Sequence, residues 1–208
     1  MAKTRSGVDN LREACLREAF AVIEQSGVEA LSLREVARRL GVSHQAPYRH
    51  FPSRDHLLAE VVRRTYEGFA SHLDGRQHHD DPYDDLGSIG EAYLAYADAH
   101  PLQYRLMFAT PLPDPEAHPD MMRSARHAFA ILEDAVKRLP RAKTPGSAAD
   151  APALDALYVW ATVHGIASIR RSGAMATLDL DKAVHGAMQG HAMARLHTAL
   201  MTQQPDKT

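Results

Sequence analysis

From Val8 to Gln25 the apolar residues Leu11, Cys15, Ala19, Val22 and Ile23 recur mainly at steps of three and four. That spacing predicts an amphipathic helix, which Gly27 ends. Ser32 stands three residues before Glu35, a capping box that opens a second helix with Leu33, Val36, Ala37 and Leu40 on its apolar face. Gly41 stops it. Ser43 opens a third short helix through about Phe51, with Pro47 near the first turn, where the loss of an N–H is cheapest. A fourth helix, capped by Ser53, runs on through Leu57, Leu58, Val61 and Val62.

Beyond Phe69 the pattern stays helical while the connections lengthen. Gly75 to Asp85, with His78, His79, Asp80 and Asp81, is polar and broken and reads as a linker. Helices are expected over Leu86–His100 and Leu102–Ala109. Pro111, Pro113, Pro115 and Pro119 make Thr110–Pro119 an extended connection. A long helix follows over Asp120–Leu139, a mobile Ala-, Pro- and Ser-rich loop over Pro140–Pro152, and two last helices over Ala153–Ser172 and Asp181–Met201. With no alternating strand pattern and no internal repeat, the fold class is all-α.

Composition narrows the setting. A hydrophobic share of 45% with 24% charged residues is ordinary for a soluble globular chain. No apolar run approaches the roughly 18 to 20 residues of a membrane span, and Met1–Asn10 lacks the apolar stretch of a secretory signal, so a cytoplasmic setting is expected. The single cysteine, Cys15, has no partner within the chain. It reads as a buried thiol on the first helix, with a redox sensor as the alternative. A net charge of −2 argues against a nucleic-acid binder until its distribution is considered: residues 1–65 carry a net +3 and the remainder −5. A basic head on an acidic body suits a DNA reader joined to a second functional domain.

The pair of short helices Leu33–Leu40 and His44–Phe51, joined by Gly41, Val42 and Ser43, has the spacing of a helix-turn-helix. In such a unit the first helix crosses the phosphate backbone and the second enters the major groove. On the second, His44 and Gln45 can reach base edges and Ala46 can meet a thymine methyl, while Ser43, Tyr48 and His50 can donate to phosphates. Arg49 and Arg54 add charge, and Ser53 places the positive end of the fourth helix beside Arg54.

Leu31 to Leu58, reading LSLREVARRLGVSHQAPYRHFPSRDHLL, resembles the DNA-binding domain of the TetR family of bacterial repressors, and the similarity covers Val8 to about Leu58. The resemblance implies an N-terminal three-helix DNA-binding domain over residues 1–58 and a helical ligand-binding and dimerisation domain over 59–208. By position it assigns Arg34 to a guanine, His44, Gln45 and Ala46 to bases, Tyr48 and His50 to phosphates, and Ser32 and Ser43 to backbone contacts at helix starts. Arg54 stands where the family usually has Lys, with the same phosphate role. Pro47 departs from the commoner apolar residue and puts the pitch of the recognition helix in question. The run Tyr158–Gly165, with Trp160 followed later by His164-Gly165, is similar to one branch of TetR-like C-terminal domains.

A dimer would read two half-sites about one helical turn apart or a multiple of it. The last two helices supply the candidate surface: Leu154, Leu157, Ala161, His164, Gly165 and Ser168 on one, and Val184, Met188, Ala192 and Leu196 on the other. In TetR-like proteins two such helices per subunit form a four-helix bundle. Packing within one subunit is the alternative. Candidate ligand contacts are Tyr93, Met107, Phe108, Phe129, Trp160 and His164, since such side chains build drug-sized pockets. The expected function is a dimeric repressor that binds a palindromic double-stranded DNA operator and is released by a small-molecule inducer.

No cofactor or metal site is expected. His185, His191 and His197 are spaced by six, so successive ones point about 120° apart around a helix. His78, His79, Asp80 and Asp81 read as a solvated loop. Two rival readings stay open: a constitutive DNA-binding regulator without a ligand, and an all-helical enzyme. Against the enzyme, the sequence holds no nucleophile–base spacing and no Gly-rich phosphate loop.

Overall fold

The computed structural model describes residues 3–108, 110–140 and 151–201. Among them it holds eight α-helices and no strand: α1 (Lys3–Ser26), α2 (Leu33–Leu40), α3 (Arg54–Asp74), α4 (Pro82–Ala99), α5 (Pro101–Phe108), α6 (Pro119–Lys137), α7 (Ala151–Ser172) and α8 (Lys182–Met201). Short 3₁₀ turns cover Val28–Ala30, Pro47–Arg49 and Ala174–Thr177. The interior of the expected Pro140–Pro152 loop, 141–150, lies outside the described residues, as does Ala109. The chain forms two compact units, Met1–Gly68 with Pro101–Arg126 and Phe69–His100 with His127–Thr208. α3 runs unbroken through the position 58/59 at which the sequence suggests a domain boundary.

In the first unit most of the apolar stripe of α1 is buried: Cys15, Ala19, Val22 and Ile23 have no exposed surface, and Leu11 is half-buried. Val36 and Ala37 of α2, Leu57, Val61 and Val62 of α3, and Leu31 and Phe51 are buried with them. Gly41 ends α2 in the left-handed region, φ 65°, which a side chain would strain. From there its N–H and that of Val42 return to carbonyls of the last turn, Val42 to Ala37 at 3.1 Å. The helix start is half of what the sequence suggests. Ser32 Oγ accepts from the Glu35 N–H at 3.1 Å, but the Glu35 carboxylate does not close the box. It takes Arg38 Nε and Nη2 at 2.8 and 2.6 Å and Arg39 Nε at 2.8 Å instead. Those hydrogen bonds, Arg38 first, hold its pKa down at about 2.

Charge ties join the same three helices. Arg39 Nη1 reaches Gln25 and Glu18 of α1 at 2.9 and 3.3 Å. Glu60 of α3 takes Arg12 of α1 at 2.8 Å and Arg63 at 2.7 Å. Burial alone would raise the Glu60 pKa, but the hydrogen bonds from Arg63 and Arg12 outweigh it and leave the pKa near 2. α5 packs into this unit through Tyr104, Leu106 and Met107, and Tyr66 donates to the Met107 carbonyl at 3.1 Å.

The second unit is built on α4, α7 and α8 with the adjoining ends of α3 and α6. α4 begins at Pro82, four residues before the sequence places it. Asp81 caps it, its carboxylate accepting from the N–H groups of Tyr83 and Asp84 at 2.8 and 3.1 Å, and Pro82 occupies the first turn, where its missing N–H costs nothing. Asp85, within the expected linker, is completely buried. It accepts from Arg76 Nη2 at 2.8 Å, from the His79 backbone N–H at 3.2 Å, and from Arg138. Burial pushes its carboxyl upward, yet these donors hold it below the usual carboxylate range. The supposed linker is thus pinned to α4 and to the end of α6 by one ionic cluster.

Candidate nucleic-acid interface

The helix-turn-helix rests on the first unit. α2 presents Arg34 and Arg38, four residues apart, on its exposed face, while Leu33, Val36 and Ala37 face the core. After the left-handed turn at Gly41 the chain exposes Ser43, His44, Gln45, Tyr48 and Arg49, with Ala46 and His50 half-buried. Tyr48 is 42% exposed, its ring standing clear of the core.

The second element differs from the α-helix that the sequence suggests. Its hydrogen bonds are mostly of the three-residue kind: Ala46 N–H to Ser43 at 2.9 Å, Arg49 N–H to Ala46 at 3.3 Å, and His50 N–H to Pro47 at 2.9 Å. The cause is Pro47. It has no N–H to return to Ser43, and its ring cannot follow an α-helical carbonyl four residues back. The segment tightens into a turn and a 3₁₀ helix over Pro47–Arg49. Pro47 itself is buried, so it fills the core position that an apolar residue would take. The readers therefore sit closer to three than to 3.6 residues per turn, which moves the azimuth of each successive side chain.

Arg54 is placed differently from a free surface cation. Its Nε donates to the Leu31 carbonyl at 3.0 Å and its Nη2 to the Val28 carbonyl at 2.9 Å, with Asp55 at 3.6 Å from Nη1. The side chain braces the connection between α1 and α2, and the Val28 carbonyl it reaches also accepts the Leu31 N–H at 3.1 Å. Ser53 caps α3, its Oγ accepting from the His56 N–H at 3.3 Å. Ser32 keeps its oxygen on the Glu35 N–H. Arg38 has no place in the sequence expectations; its spacing of four from Arg34 was the available signal.

The six candidate ligand contacts do not share one unit. Tyr93, Phe129, Trp160 and His164 come together in the second: Tyr93 Oη lies 3.0 Å from His164 Nδ1, and the Trp160 ring is 5.8 Å from that of His164 and 6.2 Å from Phe129. Burial lowers the His164 pKa, favouring the neutral imidazole. Met107 and Phe108 belong to the first unit, where Phe108 packs edge-on to Tyr66 at 6.3 Å and against Tyr104 at 5.0 Å. On the surface of the second unit α7 exposes Leu154, Leu157 and Tyr158, and α8 exposes Val184 at 52%. Leu196, expected on that outer face, is buried: α8 turns Leu196 and Leu200 inward. Among the described residues no group of three metal-ligating side chains gathers, and no helix is long and apolar enough to cross a membrane.

An all-helical fold carrying this helix-turn-helix defines a DNA-binding transcriptional regulator. Residues 16–61 match the model of the tetR family of bacterial regulatory proteins, and residues 86–196 match that of a tetracyclin repressor-like C-terminal domain. The chain belongs to the TetR family. The HTH-type transcriptional regulator Rv1816 of Mycobacterium tuberculosis is 34% identical over 97 residues, 45% of this chain and 42% of that protein, so the match spans under half of the relative. Another regulator of that organism, Rv0681, is 25% identical over 176 residues, 82% of this chain and 74% of that one. Among solved structures, the regulatory protein SCO4313 aligns over 97% of this chain and 100% of its own, with a TM-score of 0.72 and 25% identity.

Proposed function

We propose that this regulator acts as a homodimer on a two-fold symmetric operator, that it represses, and that a small molecule releases it. The observation that carries the reading is the exposed row Ser43, His44, Gln45, Tyr48 and Arg49 directly after the capped end of α2. In it His44, Gln45 and Ala46 read base edges, Arg34 reaches a guanine, and Ser32, Ser43, Tyr48, Arg49, His50 and Arg54 meet the phosphate backbone. For Arg54 the tie to two carbonyls leaves Nη1 as the donor toward DNA. The functional division runs at 58/59, with dimerisation and sensing behind it, in a cytoplasmic setting.

Dimerisation is supported by apolar side chains that α7 and α8 leave in solvent: Leu154 at 58%, Leu157 at 46% and Val184 at 52% exposure. Large apolar side chains left in solvent on neighbouring helices suit an interaction site, and a second copy supplies a matching one. Sensing is supported by the cluster of Tyr93, Phe129, Trp160 and His164, an apolar wall with one hydrogen-bonding pair able to orient a ligand. A ligand binding better to a conformation with the wrong spacing of recognition elements withdraws the protein from DNA by population shift.

Selection of bound duplexes from a random pool tests this. The expected outcome is a palindromic motif with half-sites about 34–36 Å apart or a multiple of that. An asymmetric motif, or no enrichment, contradicts it.

A further inference from the structure

Within the second unit, α4 and α8 border a groove of about 440 Å³. On α4, Asp84, Gly87, Ser88 and Glu91 fall at i, i+3, i+4 and i+7 and form one stripe along it. α8 contributes Gly190 and Met193, and Leu86 and Leu196 give an apolar floor. The volume lies in the range of small-molecule sites, about 300–1,000 Å³.

Two features distinguish it from an ordinary crease between helices. The first is the placement of glycine. Gly87 and Gly190 sit inside helices, and a Cβ at either would meet nothing within 4 Å. Glycine costs roughly 1 kcal/mol relative to alanine in a helix interior, and neither position returns that cost in packing. Gly90 differs: a Cβ there would fall 2.7 Å from the Met193 methyl. The glycines at 87 and 190 keep the groove open.

The second is charge. Asp84 and Glu91 stand exposed on the rim, and neither side chain has an ion pair or hydrogen bond among the described residues. Their neighbour Asp85 takes Arg76 and Arg138. Seven residues of helix place the two carboxylates about 10 Å apart along the axis. Tyr83 and His197 line the same groove, their rings 5.2 Å apart.

We propose that this groove is a binding site for an organic cation with an apolar body. The apolar part covers Leu86, Met193 and Leu196. The cationic nitrogen lies between Asp84 and Glu91, whose carboxylates attract it. A neutral molecule of the same shape gains only the floor, and an anion is repelled by both carboxylates. The site is separate from the cluster of Tyr93, Trp160 and His164 and goes beyond the reading of that cluster as a sensor.

Calorimetric titration of the full chain with 4-phenylbutyltrimethylammonium and with its uncharged carbon isostere tests the proposal. The cation is expected to bind at least tenfold more tightly than the isostere. Asp84→Asn with Glu91→Gln should remove that advantage, and Gly87→Leu should abolish binding by filling the groove. Gly87→Leu also raises helix propensity, so its thermal transition should not fall. Trp160→Phe should leave cation binding unchanged, which separates this site from the aromatic cluster whatever that cluster binds. Equal binding of cation and isostere, binding that survives Gly87→Leu, or binding lost in Trp160→Phe overturns the proposal.

Discussion

Arg54 shows how a side chain in a DNA-binding motif can be fixed by folding as much as by function. Its Nε and Nη2 are spent on the carbonyls of Leu31 and Val28. Lysine, with one nitrogen, cannot brace two carbonyls from one position as a guanidinium fork does. Arg54→Lys should therefore lower stability by about 1–2 kcal/mol, from lost hydrogen bonds to a charged donor, as read by urea denaturation. Glu60 makes a pH-dependent case. Its pKa is depressed in the folded chain to about 2. Its contribution is therefore complete above the unfolded value near 4.5 and disappears as pH falls toward 2. Glu60→Gln should cost about 1–3 kcal/mol at pH 7, with the gap to the parent narrowing steadily below pH 4.5. A gap independent of pH would show that Glu60 acts by packing alone. Cys15, read from sequence as a buried thiol, has no exposed surface, and burial raises its pKa. Its alkylation should track global unfolding, with a native-state rate at least a hundredfold below that of the denatured chain.

At the scale of elements, the sequence carried most of the architecture because most helix ends are written in local chemistry. Ser32, Gly41 and Ser53 mark their boundaries through one hydroxyl or one φ value each. Two elements escaped for the opposite reason. α4 starts at Pro82 because Asp81 caps it and a buried ionic cluster around Asp85 holds it, and that cluster draws on Arg138, 53 residues away. No local pattern contains such a partner. The recognition element was legible in position but not in pitch: Pro47 was visible, whereas its choice between a tolerated first turn and a 3₁₀ segment depends on the burial of its ring beneath the motif. Pro47→Leu restores an N–H to the segment and fits the same buried position. Carbon-13 Cα shifts of residues 44–50 should move toward α-helical values, and the preferred half-site should change with them. Unchanged shifts would mean that the loop itself, not proline, sets the tight pitch.

For the whole molecule, the apolar faces of α7 and α8 were legible as helical stripes, but their orientation was not. Leu196 was expected outside and lies inside, because α8 turns Leu196 and Leu200 into the second unit while Val184 stays exposed. Leu157→Glu with Val184→Glu adds charge only where side chains already meet water, so the variant should fold. The parent should sediment as a dimer and the variant as a monomer, with at least a tenfold loss in operator affinity. A variant that stays dimeric would place the interface elsewhere. The exposed row after Gly41 is proposed to read DNA. Its most direct test is equilibrium binding to a selected operator and to random duplex at graded salt, for the parent, Gln45→Ala and Tyr48→Phe. Gln45→Ala should lose about 1–3 kcal/mol on the operator alone. Tyr48→Phe should weaken both duplexes alike. Equal losses on both duplexes for Gln45→Ala, or no loss for either variant, would contradict a DNA-reading role for this row.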